Sequence, residues 1–296
     1  MFSFVIVNWN GSDLINQCLE SLTKSNYSNF KIYIVDNGST DNSIEVINSF
    51  KEKLNIDLIK LDKNYGFAPA NNIGINKSMN DESKYIITLN NDIEVQSNTL
   101  DKLIEFINSN EDTDIFQLLM INYYERDLLD SVGMSFNKHL FVTQLGYKEP
   151  LSILNKYSVD IEGACAGAAV YSKECLKSIC INNQEYFKND FFAYYEDVDL
   201  ALRLIKKGFK TKLVKDSIVY HMHSATGNKT SAFKEYYLTR NLFKYLRENQ
   251  SDINYRVNKK YYYKNTIGRI VRALKGRNIN SAKAIVRGFI DFKHKR

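Results

Sequence analysis

Three carboxylates fall within four positions of the run Phe191-Phe192-Ala193-Tyr194-Tyr195-Glu196-Asp197-Val198-Asp199-Leu200, directly after a dense patch of aromatic residues. Leu200, Leu202, Leu204 and Ile205 then lie among Arg203, Lys206 and Lys207, which predicts a helix from about Glu196 that stops at Gly208. Acidic residues in a first turn suit the helix dipole, and that accounts for one or two of the three. It does not account for the rings. A carboxylate beside rings is partly desolvated, so its pKa rises and it becomes a better proton acceptor near neutral pH. The run reads as a general-base site at a helix start.

A base needs a cleft to serve, and the N-terminal third of the chain supplies the elements for one. Phe2-Ser3-Phe4-Val5-Ile6-Val7 ends in Asn8-Trp9-Asn10-Gly11, which predicts a buried strand stopping at a polar loop. Ser12 is placed to cap a helix whose inner face is Leu14, Ile15, Cys18, Leu19 and Leu22. Lys31-Ile32-Tyr33-Ile34-Val35 is a second strand and stops at Asp36-Asn37-Gly38-Ser39-Thr40-Asp41. Asn42 with Glu45 then resembles a capping box for the next helix. Residues 56–61 form a third strand, followed by Asn64-Tyr65-Gly66-Phe67-Ala68-Pro69-Ala70-Asn71-Asn72, and residues 84–89 a fourth, ending at Asn90-Asn91-Asp92. Strand-helix alternation of this kind makes a parallel sheet, and such sheets bind ligands at the carboxyl ends of their strands. Four polar strand ends therefore converge on one crevice.

The crevice lacks a G-x-G-x-x-G after the first strand, and no G-x-x-x-x-G-K-[ST] occurs, so neither a Rossmann dinucleotide site nor a P-loop is supported. It offers amides and carboxylates instead. Asp36 and Asn37 have the acceptor and donor chemistry for a pyrimidine or ribose edge. Asp92, at a strand tip, has the hard oxygens that suit magnesium or manganese on a diphosphate. Any one such Asn or Asp is ordinary turn chemistry; four clusters at equivalent strand ends are not.

Taken in order, these pieces resemble the family 2 glycosyltransferases, which have the GT-A fold, and within them the rhamnosyltransferase-like group. The matching segments are Val5 to Gly11, Val35 to Asp41, Asn64 to Ala68, Asn71-Asn72 with Gly74, and Leu89 to Asp92. Gly167-Ala168-Ala169, Phe191 to Leu200, Tyr220-His221 with Ser224-Ala225-Thr226, and Arg240-Asn241 follow, so the match runs over roughly residues 3–245. The resemblance implies an α/β protein with a mostly parallel nucleotide-binding sheet flanked by helices and a helical, basic C-terminal extension. It implies donor binding by Asn8, Asp36, Asn37, Asn64, Gly66, Asn71, Asn91 and Asp92, with Asp36 and Asn37 on the base and ribose. Many members carry two aspartates at that turn, so Asn37 is a departure that marks a preference for a particular base.

Asn91 and Asp92 occupy the place of the family's metal-binding acidic pair. Asp92 is the implied ligand of Mg2+ or Mn2+, while Asn91 has lost the neighbouring charge, which lowers the expected metal affinity. His221 stands where the family often has a second metal ligand; the alternative is a buried, hydrogen-bonded strand histidine. His223, two residues on, is a weaker candidate. Asp197 is implied as the catalytic base, with Glu196 the alternative, and Asp199 as a residue that orients a loop or caps the helix. The implied chemistry is attack of an acceptor hydroxyl on the anomeric carbon of a nucleotide-activated sugar, with inversion in one step. The favoured donor is dTDP-L-rhamnose, with UDP-hexoses the runner-up. The acceptor is a glycan or lipid-linked glycan of a bacterial surface polysaccharide. A non-catalytic relative that holds nucleotide or glycan is the competing reading, and the Glu196-Asp197 pair argues against it. A nucleotidyltransferase would need a basic, glycine-rich loop in place of Asn8-Trp9-Asn10-Gly11.

Composition is in keeping with an enzyme of this size: 296 residues, 44% hydrophobic, two prolines and no run long enough to span a membrane. Cys18, Cys165, Cys175 and Cys180 have no C-x-x-C spacing, so zinc and redox chemistry are not indicated. No signal peptide is visible, and the expectation is a cytoplasmic protein with reduced thiols. Residues 1–110 are expected to form the nucleotide-sugar half, 111–235 the acceptor half with the base, and 236–296 the basic extension. Residues 120–159 have weak periodicity and no strands are assigned there.

The extension stands apart in charge. Residues 253–296 hold thirteen Lys and Arg against one acidic residue, so the net charge of +6 resides in the tail while the rest is acidic. Ile267, Ile270, Val271 and Leu274 form one helical stripe, and Ala282, Ile285, Phe289 and Phe292 a second, each flanked by basic residues. Such helices lie on an anionic bilayer, here the inner face of the cytoplasmic membrane, or pack on the catalytic domain or a second copy in a homodimer. Nucleic acid is not an expected partner, because the charge is confined to the tail and no reading motif accompanies it.

Overall fold

Alternation along the first strand sets the layers. In β1 (Phe2–Asn8), Phe2, Phe4 and Ile6 face one side of the sheet and pack with Ile15, Cys18, Leu19 and Leu22 of α1 (Ser12–Thr23). Val5 faces the other side and packs with Ala68 and Ile75 of α3 (Phe67–Ser78). The computed structural model describes residues 2–222 and 231–294; His223 and Ser224-Ala225-Thr226 lie outside the described residues.

β2 (Phe30–Asp36), β3 (Ile56–Lys60) and β4 (Tyr85–Asn90) lie parallel to β1 in the spatial order β3-β2-β1-β4. The chain therefore reverses its winding direction at β1, and the crevice of such a sheet opens between β1 and β4. Beyond β4 the same sheet continues through β11 (Ala168–Ser172), β6 (Ile115–Asn122) and β12 (Thr211–His221). β11 is antiparallel to both neighbours and β12 is parallel to β6. The carboxyl ends of β2, β1, β4, β6 and β12 thus share one edge. Strands from both sides of residue 110 belong to one sheet.

The stretch without a sequence pattern contains β7 (Leu129–Ser131), on the edge of β6, and the hairpin of β8 (Met134–Phe136) with β9 (Val142–Gln144). These strands have three residues each, too short for alternation to register. β5 (Ile93–Val95) pairs antiparallel with the end of β12, setting His221 opposite Ile93. β10 (Asp160–Ile161) pairs with the start of β12. On the helical layers, α4 (Thr99–Asn108) joins α1, while α5 (Lys173–Ile179) and α6 (Glu196–Lys206) join α3.

Two helix starts differ from the sequence expectation. Gly11, not Ser12, is the N-cap of α1, and Asn42 makes no side-chain cap at α2 (Ser43–Ser49). Asp41 serves both: its Oδ2 accepts from Ser12 N at 3.0 Å and its Oδ1 from Ser43 N at 3.1 Å. A carboxylate is a stronger acceptor than a hydroxyl or amide, and its charge suits two helix N-termini at once.

The extension is helical: α7 (Ser231–Asn249), α8 (Asp252–Lys275) and α9 (Ile279–His294). The two apolar stripes have different fates. Ala282 and Ile285 are buried, and Phe289 and Phe292 lie 4.9 and 5.5 Å from the ring of Phe243 on α7. That stripe is internal packing and is not available to a membrane. Ile267, Val271 and Leu274 stay exposed, as do Ile279, Val286 and Ile290. Among the described residues, no helix is long and apolar enough to cross a membrane.

Gly74 sets the distance between α3 and the sheet, because a Cβ there would lie 2.5 Å from Cγ1 of Val5. Gly74→Ala should therefore lower stability by about 1–3 kcal/mol, despite the better helix propensity of alanine. Urea unfolding checks this, and a raised midpoint would show that the interface has slack.

Candidate active site

Asn8 ends β1 at the reversal of the sheet and is fully buried. Its amide nitrogen donates to Asp36 Oδ1 at 3.2 Å and Ser39 Oγ at 3.4 Å, and its oxygen accepts from Asn91 Nδ2 at 2.8 Å. Asp36 Oδ2 accepts from Ser39 N at 3.0 Å. The ends of β4, β1 and β2 are thus cross-braced by side chains that satisfy one another, as buried polar groups must. Asn37 is equally committed. It donates to Asn64 Oδ1 at 3.0 Å and Gly66 O at 3.1 Å, and accepts from Tyr65 N at 2.9 Å. With both amide hydrogens spent on the loop after β3, the Asn37 side chain fixes the shape of residues 64–66. Asn71 donates back to Phe67 O within α3 at 3.0 Å.

Asp92 precedes β5, and its Oδ1 lies 3.2 Å from Nε2 of His221. Nδ1 of the same ring lies 2.6 Å from Oδ2 of Asp130 on β7. Burial pushes the imidazole pKa down, but hydrogen bonds and charge from both carboxylates outweigh it and hold the pKa up to about 10. Among the described residues, no three His, Cys, Asp or Glu side chains form an all-protein metal cage. The donors present still fit an Mg2+ or Mn2+ ion. Such ions take one or two protein ligands beside substrate phosphates, and a carboxylate behind a histidine fixes the ring that ligates. Asp92 would hold the ion, and His221 would join it through Nε2 on giving up that nitrogen's proton, with Asp130 behind the ring. Asp130 gave no signal in the sequence, since a lone aspartate in a short apolar run has neither spacing nor a partner until β7 folds against β6.

The carboxylate run forms α6 as expected, with Gly208 just beyond its end at φ +87°. The backbone before it is unusual: Phe192, Tyr194 and Tyr195 all have left-handed φ, at 65, 67 and 73°. Non-glycine residues in that region cost of order 1–3 kcal/mol each. The turn it makes buries Glu196 and leaves Asp197 partly exposed. Desolvation, followed by the charge of Asp197, pushes the Glu196 pKa well above the usual carboxylate range. Among the described residues, nothing bonds its Oε2. Burial raises Asp197 as well, against hydrogen bonds from Ala166 N at 3.4 Å and Val198 N at 2.8 Å. Glu196 is thus the more deeply buried member of the pair, and Asp197 the partly exposed one. Asp199 is fully buried and bonded to Lys188, Arg203 and Asn249, which ties the preceding loop to α6.

Two joins bring Asp197 to the crevice. Asp197 bonds Ala166 N, and the next residue, Gly167, accepts from Asn90 N at 2.9 Å, two positions before Asp92. The carbonyl of Phe192 accepts from Phe67 N at 2.6 Å and Ala68 N at 3.3 Å, at the start of α3. Gly66 permits this approach: its φ is +100°, and a Cβ would lie 2.6 Å from that carbonyl oxygen.

The family model for glycosyl transferase family 2 matches residues 3–179. GlyG, a glycosyltransferase of Streptococcus pneumoniae, is 29% identical over 144 residues, covering 48% of this chain and 44% of the relative. An uncharacterized glycosyltransferase of Haemophilus influenzae is 32% identical over 111 residues, covering 37% and 43%. The chain thus spans less than half the length of these curated relatives. Among solved structures, a mannosyltransferase of Pyrobaculum calidifontis in complex with GDP-Man and Mn2+ aligns with a TM-score of 0.60 at 10% identity, covering 100% of this chain and 87% of that one. Residues 1–349 of Staphylococcus aureus TarS in complex with UDP align at 0.57 and 15% identity, covering 100% and 92%. These likenesses establish a GT-A-like architecture with added C-terminal helices. With the family's model matched over more than half its length, this chain belongs to glycosyl transferase family 2.

Proposed function

We propose that the chain is an inverting glycosyltransferase that moves a sugar from a nucleotide-diphosphate donor to a glycan or lipid-linked glycan of a bacterial surface polysaccharide. The observation that carries this reading is the short path from Asp197 through Ala166 and Gly167 to Asn90, which sets a raised-pKa carboxylate and the Asp92–His221 pair on one crevice. Asn8, Asp36, Asn37, Asn64, Gly66, Asn71 and Asn91 form the donor cradle. Asp197 removes the proton from the acceptor hydroxyl as it attacks the anomeric carbon opposite the departing diphosphate. A divalent ion on Asp92 and His221 would supply neutralisation of the charge that develops on that diphosphate. Acceptor selection falls to residues 111–235, and residues 1–110 hold the donor.

Two donors lead. The order of the motifs favours dTDP-L-rhamnose, while the likeness to TarS, also solved with UDP-GlcNAc, keeps a UDP-hexose in play. Thermal stabilisation by a panel of dTDP-, UDP- and GDP-sugars, with and without Mn2+, tests the proposal; stabilisation by none of them would sink it.

Replacing Asp197 with Asn keeps the shape and removes the proton acceptor. Turnover should fall on the order of a hundredfold or more while donor binding survives. Since the base must be ionised and burial raises its pKa, the acidic limb of the wild-type kcat/KM profile should lie above the ordinary aspartate range and vanish in the variant. A wild-type rate in Asp197→Asn would pass the role to Glu196.

The metal reading makes a separate demand. Asp92→Ala should weaken donor binding in Mg2+ or Mn2+, and His221→Ala should do so more mildly, because an uncompensated diphosphate is repelled. Titration calorimetry with the selected donor reads both. Unchanged affinity, together with full activity in chelator, would remove the ion from the reaction.

The exposed faces of α8 and α9 support peripheral attachment to an anionic membrane. Ile267, Val271, Leu274, Val286 and Ile290 are exposed, as are Lys264, Lys275, Lys283 and Arg287. Changing Ile267, Val271 and Leu274 to Ser should reduce sedimentation with vesicles rich in anionic lipid and leave donor binding intact. Raising salt should weaken wild-type binding in the same direction. Loss of dimerisation with unchanged vesicle binding would identify the face as a subunit contact instead.

A further inference from the structure

The carbonyls of the left-handed stretch can be accounted for one by one. Arg240 Nη2 donates to Asp190 O at 2.7 Å and to Phe191 O at 2.8 Å. The side-chain amide of Asn241 donates to Phe191 O at 2.9 Å, Ala193 O at 2.7 Å and Tyr194 O at 2.7 Å. Phe192 O is taken by the start of α3, and Tyr195 O by Asp199 N at 2.9 Å. Asn72 holds the segment just before: it donates to Phe187 O at 2.6 Å and Asn189 Oδ1 at 2.8 Å, and accepts from Tyr186 N at 3.0 Å and Phe187 N at 2.9 Å. Asn72 is 3% exposed and Asn241 fully buried.

We infer that Asn241 and Asn72, from α7 and α3, are positioning residues for the base: two carboxamides that hold residues 186–194 in the one backbone path that delivers Asp197 to the crevice. The physical need is specific. Three bulky residues with left-handed φ persist only when the surroundings over-determine them. Their carbonyls point away from any regular ladder, and unpaired buried carbonyls would be costly. A planar amide with two hydrogens reaches several carbonyls from one buried point, which no hydroxyl or apolar side chain can do. The extension is thereby part of the catalytic framework, because α7 carries Asn241 while α8 and α9 pack behind it around Phe243 and Tyr262. Neither residue touches the reacting atoms.

The inference rests on the reading of Asp197 as base, so the test has one arm that needs no activity. Asn241→Asp preserves size and removes both donors. In the full-length protein, amide hydrogen exchange across residues 190–197 should quicken more than about tenfold, while β1 and β4 keep wild-type protection. With the donor selected from the nucleotide-sugar panel, kcat should fall by more than about tenfold and donor affinity stay within about twofold, because misplacement harms chemistry before binding. Asn72→Asp should act in the same direction through residues 186–189. Wild-type exchange and turnover in Asn241→Asp would overturn the inference, as would loss of protection throughout the sheet, which marks general stability. If Asn241→Asp does not fold, the same two readouts on Asn241→Ser, which keeps one donor, decide. If wild-type protein turns over no nucleotide sugar, the glycosyltransferase reading fails while the exchange arm still judges the clamp.

Discussion

Burying one carboxylate beside another at the start of α6 requires the chain to turn through left-handed backbone at Phe192, Tyr194 and Tyr195. Each of those conformations is uphill for a residue with a large side chain, and much of the molecule is arranged to hold them. α3 donates two backbone N–H groups to Phe192, α7 supplies Arg240 and Asn241, and Asp199 anchors Lys188 and Arg203. Aromatic rings of the same run supply the low-dielectric setting, since Phe191 is fully buried and Tyr195 packs on Tyr245 at 5.7 Å. Strain and pKa are two results of one packing decision.

The polar strand ends follow a different logic. Asn8, Asp36 and Asn91 bond to one another, as do Asn37 and Asn64, so these polar strand ends are fixed by their own hydrogen bonds. Charge is sparse there. Asn91 leaves Asp92 without an acidic neighbour, and the nearest charged partner of Asp92 is His221, which Asp130 supports from behind.

Helices that look like an appendage in the sequence are structural to the site. Leu242, Phe243, Tyr245 and Leu246 of α7 pack with Val198, Ala201 and Leu202 of α6, so the helix that begins with Glu196 and Asp197 has its outer face covered by the extension. α9 then covers α7 through Phe289 and Phe292. What remains outward on α8 and α9 is a mixture of aliphatic and basic side chains, distinct from the face that does the packing.

Local pattern by itself determined the four parallel strands, the helices between them and the polar strand ends, because alternation, helical periodicity and Asn/Asp/Gly turns are properties of neighbouring residues. It also determined that Glu196, Asp197 and Asp199 begin a helix among aromatic rings. Only the tertiary structure decided their separate surroundings: Glu196 buried, Asp197 partly exposed, Asp199 spent on Lys188, Arg203 and Asn249. The same holds for Asp41 capping two helices, Asp130 behind His221, and Asn241 under the left-handed turn, where the partners are separated by tens of residues. The two C-terminal stripes look alike in sequence, yet one is internal and the other is exposed at Ile267, Val271 and Leu274. Amphipathic spacing says that a face is apolar; which surface covers it depends on distant segments that the chain brings together only on folding.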